Sequence, residues 1–323
     1  MSSARRYICH ITNSLSRYKL QLHRQRPIFE QALQSFEETI RPNAHNAELI
    51  RAARTELATV LSLPPHPPSA RNDDIYDASS QDAESTLQQH HADPYIAVHM
   101  RRGDRHASTF PYRGQYVPLE DFVSAIFSAW NRLYPDSDIS LRAAGDLDFP
   151  APPIAYVASD SHAVAEEFIS ALPSSSAVFS LASSTDPTLR ALVPQQPYVQ
   201  EEFNNMDEQD RITLTRGMVV DLAMLTGLWA WEGDVVPGAT ICTLRSVIWV
   251  MHSTRILITI YIPRNSSNIC RVSAIGLGWE RAFGYDDGEN HDDGNINDER
   301  KRWIDLDNRG IVSPMWQAFE VFQ

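Results

Sequence analysis

The sequence predicts an α/β fold, a largely parallel sheet layered with helices. Three observations lead there. Short, nearly all-apolar runs such as Tyr95-Ile96-Ala97-Val98-His99-Met100 and Ile154-Ala155-Tyr156-Val157-Ala158 read as strands covered on both faces. Segments with helical spacing alternate with them, as crossover helices between parallel strands must. The chain is 323 residues long with 43% hydrophobic and 21% charged residues, enough apolar side chain to bury such a sheet.

The elements follow in order. Residues 14–63 read as helix broken near Pro42, with Leu49, Ala52, Ala53, Leu57, Val60 and Leu61 at helical spacing. Residues 1–63 thus form a helical N-terminal segment. Residues 64–93 are rich in Pro, Ser, Asp and Gln and read as a mobile linker. From 94 to 323 a Rossmann-like domain is expected. Its strands are 95–100, 154–158, 178–181 and 239–243; its helices are 119–133, 163–172, 213–231 and 269–283. In such sheets ligands sit beyond the carboxyl ends of the strands.

Composition narrows the partners. Lys and Arg number 28 against 41 Asp and Glu, a net charge of −13, which argues against nucleic acid and anionic membranes as partners. Three cysteines (Cys9, Cys242 and Cys270) are too few for a disulfide scaffold and form no C-x-x-C knuckle. The N-terminus shows no apolar run of the kind found in signals and anchors. The longest apolar stretch, 247–262, is short and interrupted by His252 and Arg255, so no membrane segment is expected.

The chemistry is expected at the strand tips. After the first strand comes His99-Met100-Arg101-Arg102-Gly103-Asp104. His99 and Arg101 share one face while the chain stays extended. Two arginines at a ligand-binding rim suit a pyrophosphate, because guanidinium is permanently charged and forks onto phosphate oxygens. Asp104 is placed to buttress one of them. A plain surface ion cluster is the other reading of the same residues.

The pattern His-x-Arg-Arg-x-Asp at the tip of an apolar strand resembles the first motif of the GDP-fucose-dependent fucosyltransferases, among them the α-1,6-fucosyltransferases and protein O-fucosyltransferases. A second stretch, Tyr156-Val157-Ala158-Ser159-Asp160-Ser161, looks like the family's strand ending in a Thr/Ser-Asp pair beside the nucleotide base. One edge of guanine offers two N–H donors, and a carboxylate can accept both. Asp160 could instead cap the following helix, as could Ser161.

The third family motif is a helix with an acidic segment, a strand, and a turn of the form Thr-x-Ser-Ser-x-x-Cys/Ser-Arg. Here Asp221 lies in the helix, Thr243-Leu244-Arg245-Ser246 begins the turn, and Asn268-Ile269-Cys270-Arg271-Val272 finishes it. Residues 247–267 stand between, and removing these 21 residues restores the spacing, with Arg245 in place of the first serine. Two readings are open. The segment is a retained intron translated in frame, which transcript sequencing would reveal, or a genuine insertion pairing 247–251 with 256–262 as a hairpin.

The resemblance covers residues 94–283. It implies the C-terminal, nucleotide-binding half of a GT-B glycosyltransferase that moves fucose from GDP-fucose to a glycan or protein hydroxyl, with inversion and no required metal or cofactor. Arg101 is then the catalytic cation. His99, Arg102, Asp104, Asp160, Ser161, Ser246, Asn268 and Arg271 bind the donor. Asp104 and Glu120 lie near in sequence, yet neither is marked as a general base. Family members work in the ER and Golgi lumen, whereas this sequence shows no signal or anchor. Only about ninety residues precede the first motif, so a truncated or degenerate protein that binds nucleotide sugar without turnover is the alternative. His66, His90 and His91, and the acidic stretch 286–298, are expected to be solvated rather than metal-binding. Trp229, Trp231, Trp279, Trp303 and Trp316 are expected mostly in the core.

Overall fold

The computed structural model describes residues 26–61, 95–103, 115–134, 153–174, 176–243, 248–249, 260–261, 268–284 and 299–306. The predicted linker 64–93, the acidic stretch 286–298 and Trp316 lie outside the described residues.

Two helices open the described chain, α1 (Arg26–Glu38) and α2 (Ala44–Val60). The break falls beside Pro42 as predicted, where the Asn43 side chain caps α2 by accepting from the Asn46 N–H at 2.9 Å. Then follow β1 (Tyr95–Met100), α3 (Leu119–Leu133), β2 (Ile154–Ser159), α4 (His162–Ala171) and β3 (Ala177–Phe179). Two short helices, α5 (Pro187–Arg190) and α6 (Gln200–Asn205), lead to the long α7 (Glu208–Thr226). The chain continues through β4 (Pro237–Cys242), the short strands β5 (Ile248–Trp249) and β6 (Ile260–Tyr261), α8 (Asn268–Leu277), α9 (Trp279–Phe283) and β7 (Trp303–Asp305).

Five strands form one parallel sheet in the order β3-β2-β1-β4-β7. The order runs outward from β1 in both directions, so successive right-handed crossovers place helices on opposite faces. Helices α3 and α4 share one face, with Phe122 and Phe168 in edge contact at 6.0 Å. Helices α7 and α8 pack together on the other, where Tyr95 of β1 donates to the Met224 carbonyl at 2.7 Å. Strands β1 and β4 are buried along their whole length, which explains sequences that are apolar apart from His99 and Thr240.

Several boundaries move for identifiable reasons. The helix expected over 213–231 begins earlier, because Asp207 accepts from the Gln209 and Asp210 N–H groups. It ends at Gly227, whose φ of 74° is the left-handed conformation that closes helices. The helix expected over 269–283 is two helices, broken at Gly278. Strand β7 was not predicted; three residues are too few to show a pattern.

The N-terminal helices belong to the same core as the sheet. Leu49, Ile50, Ala53, Leu57 and Leu61 of the α2 region join the main cluster. Phe29 of α1 joins a second cluster with Trp279, Phe283 and Trp303. Trp279 and Trp303 are core as expected, while Trp229 and Trp231 are half-buried. Glu56 accepts from the Ser184 hydroxyl and the Thr185 N–H. Burial pushes its carboxyl up, but these hydrogen bonds outweigh burial and hold it below the usual value.

Candidate functional site

The strand order reverses between β1 and β4, and the carboxyl ends of these two strands bound the crevice in which open α/β sheets bind ligands. The first sequence-predicted cluster sits there. His99 is buried at the last full rung of β1, level with Ala158 of β2 and Cys242 of β4. Neighbours level in a parallel sheet point to the same face, so His99 and Cys242 look toward the α7–α8 side. Asp305 of β7, also buried, is level with Cys242. Sequence reasoning missed Asp305 because it missed β7.

Two residues past His99, on the same face, Arg101 stands beside Asp160, since Met100 pairs with Ser159. Arg101 Nε lies 3.8 Å from Asp160 Oδ2, with the two side chains 24% and 15% exposed. The other carboxylate oxygen accepts the Arg102 main-chain N–H at 2.7 Å. Asp160 thus buttresses this pair of arginines; Asp104, the residue expected in that role, lies outside the described residues. Neither Asp160 nor Ser161 caps α4 with its side chain, which corrects the capping reading. Ser161 occupies the N-cap position and is buried, and its N–H meets the Ser159 hydroxyl at 3.2 Å.

Arg102 turns away from its neighbour. It donates to the Val117 carbonyl at 2.7 Å and its guanidinium lies 5.2 Å from the Tyr116 ring centre, fastening the segment that leads into α3. Its role in the fold is therefore support of the β1 loop. Gly103 is required by close approach: a Cβ there would lie 2.5 Å from the Tyr198 carbonyl oxygen and 3.0 Å from Asp160 Oδ2. Tyr198 in turn donates its N–H to the Asp160 carbonyl at 2.9 Å. Glu120, in the first turn of α3, is exposed.

The third cluster gathers at β4 and α8. Thr243 is buried just past β4, and Arg271 is half-buried in the first turn of α8. Asn268 begins that helix. Ser246 lies outside the described residues. A disulfide joins Cys242 to Cys270, with Cα atoms 5.7 Å apart. Three cysteines exclude a disulfide scaffold but not this single staple. Residues 248–249 and 260–261 pair antiparallel, apart from the main sheet, as the hairpin reading predicted.

The staple also fixes where the interrupting segment leaves and returns. Removing 247–267 leaves six residues between the two cysteines, ample to span 5.7 Å. The shortened chain should fold with its unfolding midpoint unchanged or raised. Loss of the cooperative unfolding transition would show instead that the hairpin is integral to the fold.

Asp221 of α7 is half-buried and accepts from the Tyr156 hydroxyl at 2.5 Å. Burial pushes its carboxyl up to about 7, opposed by that hydrogen bond, while burial and Asp221 drive the Tyr156 phenol well above its ordinary value. The fold therefore holds a proton on Asp221 that the unfolded chain releases at lower pH. Stability from this group is full below about pH 4 and declines as pH rises through about 7. Asp221→Asn should abolish that decline, leaving the variant more stable than the parent by roughly 2 kcal/mol at pH 8 and not at pH 4, in urea titrations at both values. Equal slopes with pH would remove Asp221 as the cause.

Among the described residues no group of His, Cys, Asp and Glu could hold a metal ion, and no helix is long and apolar enough to cross a membrane. Fold and site together define an α/β protein with a five-stranded parallel sheet of Rossmann-like order and an arginine-bearing rim at its switch point. No family model, curated protein or solved structure matches the chain.

Proposed function

We propose that the chain is the nucleotide-binding part of a GT-B-type inverting glycosyltransferase that uses GDP-fucose and passes fucose to a glycan or protein hydroxyl. The observation that carries this reading is Arg101, held beside Asp160 at the carboxyl end of β1 where the strand order reverses. Breaking the sugar–phosphate bond puts positive charge on the ring and negative charge on the departing GDP. A cation already in place stabilises that charge more in the transition state than in the ground state. Arg101 supplies the cation, His99 lies two residues earlier on the face of α7 and α8, and Thr243 and Arg271 flank the turn that would meet phosphate. The Cys242–Cys270 bridge suits the oxidising lumen in which the resembled family works.

A second reading has its own observation. The turn between Thr243 and α8 is interrupted by a segment that pairs as a hairpin, which favours a degenerate protein that binds the nucleotide sugar without turnover. Thermal-shift titration with GDP, beside an assay of GDP-fucose hydrolysis and transfer, separates them. Stabilisation with turnover is expected of the enzyme, and stabilisation without turnover of the degenerate form. Absence of both would end the nucleotide-sugar reading.

A further inference from the structure

We propose that Asp160 is a positioning residue for Arg101, holding the cation and the main chain of the β1 tip in the orientation that receives a diphosphate, rather than a group that reads the guanine base. The inference rests on the reading of this rim as a nucleotide-sugar site.

Four contacts converge on this one residue. Its Oδ1 accepts the Arg102 N–H at 2.7 Å. Its Oδ2 faces Arg101 Nε at 3.8 Å. Its carbonyl accepts the Tyr198 N–H at 2.9 Å. The missing side chain of Gly103 lets the β1 tip press against both the Asp160 carboxylate and the Tyr198 carbonyl. The register explains why Arg101 and Asp160 meet, since adjacent parallel strands put level side chains on the same face.

A carboxylate that accepts one residue's amide and lies 3.8 Å from the preceding residue's guanidinium holds a turn and a charge together. An arginine oriented before the ligand arrives loses less freedom on binding, so the anion gains more from it. A base-reading carboxylate would instead have to direct its oxygens into the nucleoside pocket, whereas here Oδ1 accepts the Arg102 N–H and Oδ2 faces Arg101 Nε.

Asp160→Asn separates the two roles, because the amide oxygen can still accept from the Arg102 N–H while the charge facing Arg101 is gone. Calorimetric titration of the full chain should show GDP and inorganic pyrophosphate weakened in parallel, each about ten-fold, with the preference for GDP over ADP unchanged. In an Arg101→Ala background the same substitution should weaken binding no further. If GDP is weakened while pyrophosphate is not, and the preference over ADP collapses, Asp160 reads the base and the proposal fails. Additive losses in the double variant overturn it as well. Should Asp160→Asn fail to fold by circular dichroism, Arg101→Lys serves, because an ammonium cannot be gripped side-on at the Nε position. It should lose pyrophosphate affinity about ten-fold, and undiminished affinity would defeat the proposal. A parent chain that binds neither GDP nor pyrophosphate defeats the functional reading itself, and the positioning role with it.

Discussion

On the glycosyltransferase function proposed above, Arg101→Ala should abolish fucose transfer from GDP-fucose, with kcat falling at least about a hundredfold, while the chain remains folded. The size of the effect follows from where the charge sits. Arg101 is mostly withdrawn from solvent, with 24% of its side chain exposed, at the rim where departing GDP would leave its negative charge. Electrostatic stabilisation is strongest where water is partly excluded and the group needs no reorganisation. Folding should suffer little. Asp160 keeps the Arg102 N–H as a partner, and a partly exposed ion pair at 3.8 Å contributes about 1 kcal/mol or less. Initial rates and circular dichroism on the same preparation check both halves. Activity above about a tenth of the parent would remove Arg101 from the catalytic role.

Arg54→Ala should destabilise the fold by about 3–5 kcal/mol, the largest loss expected of any single substitution here. Arg54 is 1% exposed and donates to the carbonyls of Ala223, Leu228 and Trp229 and to the Asp234 carboxylate, at 2.8–3.2 Å. It thereby closes the carboxyl end of α7 with a cation from α2. Burial pulls its pKa below the ordinary value, and Asp234 and Tyr95 oppose that pull. Buried ion pairs can often be exchanged for apolar groups at no cost. Here the Leu228 and Trp229 carbonyls would lose the Arg54 donor, while the Ala223 carbonyl keeps the Gly227 N–H at 3.0 Å, so that exchange fails.

Trp229 adds to the cost of losing Arg54. Its φ of 59° is left-handed, a strained conformation for a bulky residue, held by Arg54 on its carbonyl and by the Ile40 carbonyl on its indole N–H. Urea denaturation followed by tryptophan fluorescence measures the loss. Arg54→Met, which keeps the packing volume, should be nearly as unstable as the alanine variant. A loss under about 1 kcal/mol would show that the carbonyls find other donors.

The elements that the sequence made legible share a cause. Strands β1 and β2 are buried on both faces, so their residues are apolar apart from His99 and Ser159 at the carboxyl ends, and the run itself marks the strand. The break at Pro42 and the arginines after Met100 are equally local signals. What escaped reading was non-local or short. The Cys242–Cys270 bridge has a sequence separation of 28, and no pattern in either cysteine's neighbourhood announces it. Asp305 depends on a three-residue strand. The ring of contacts around Asp160 joins three segments that meet only because β1 and β2 are neighbours.

By itself the sequence determined the longer strands and helices and which strand tip carries the paired arginines, because periodicity and turn chemistry are properties of a few consecutive residues. Tertiary structure decided which carboxylate faces Arg101, that Arg102 supports a loop, and that Arg54 closes α7. Those outcomes depend on strand register and helix approach, where one rung or one missing Cβ changes which charges lie within a few ångströms of each other.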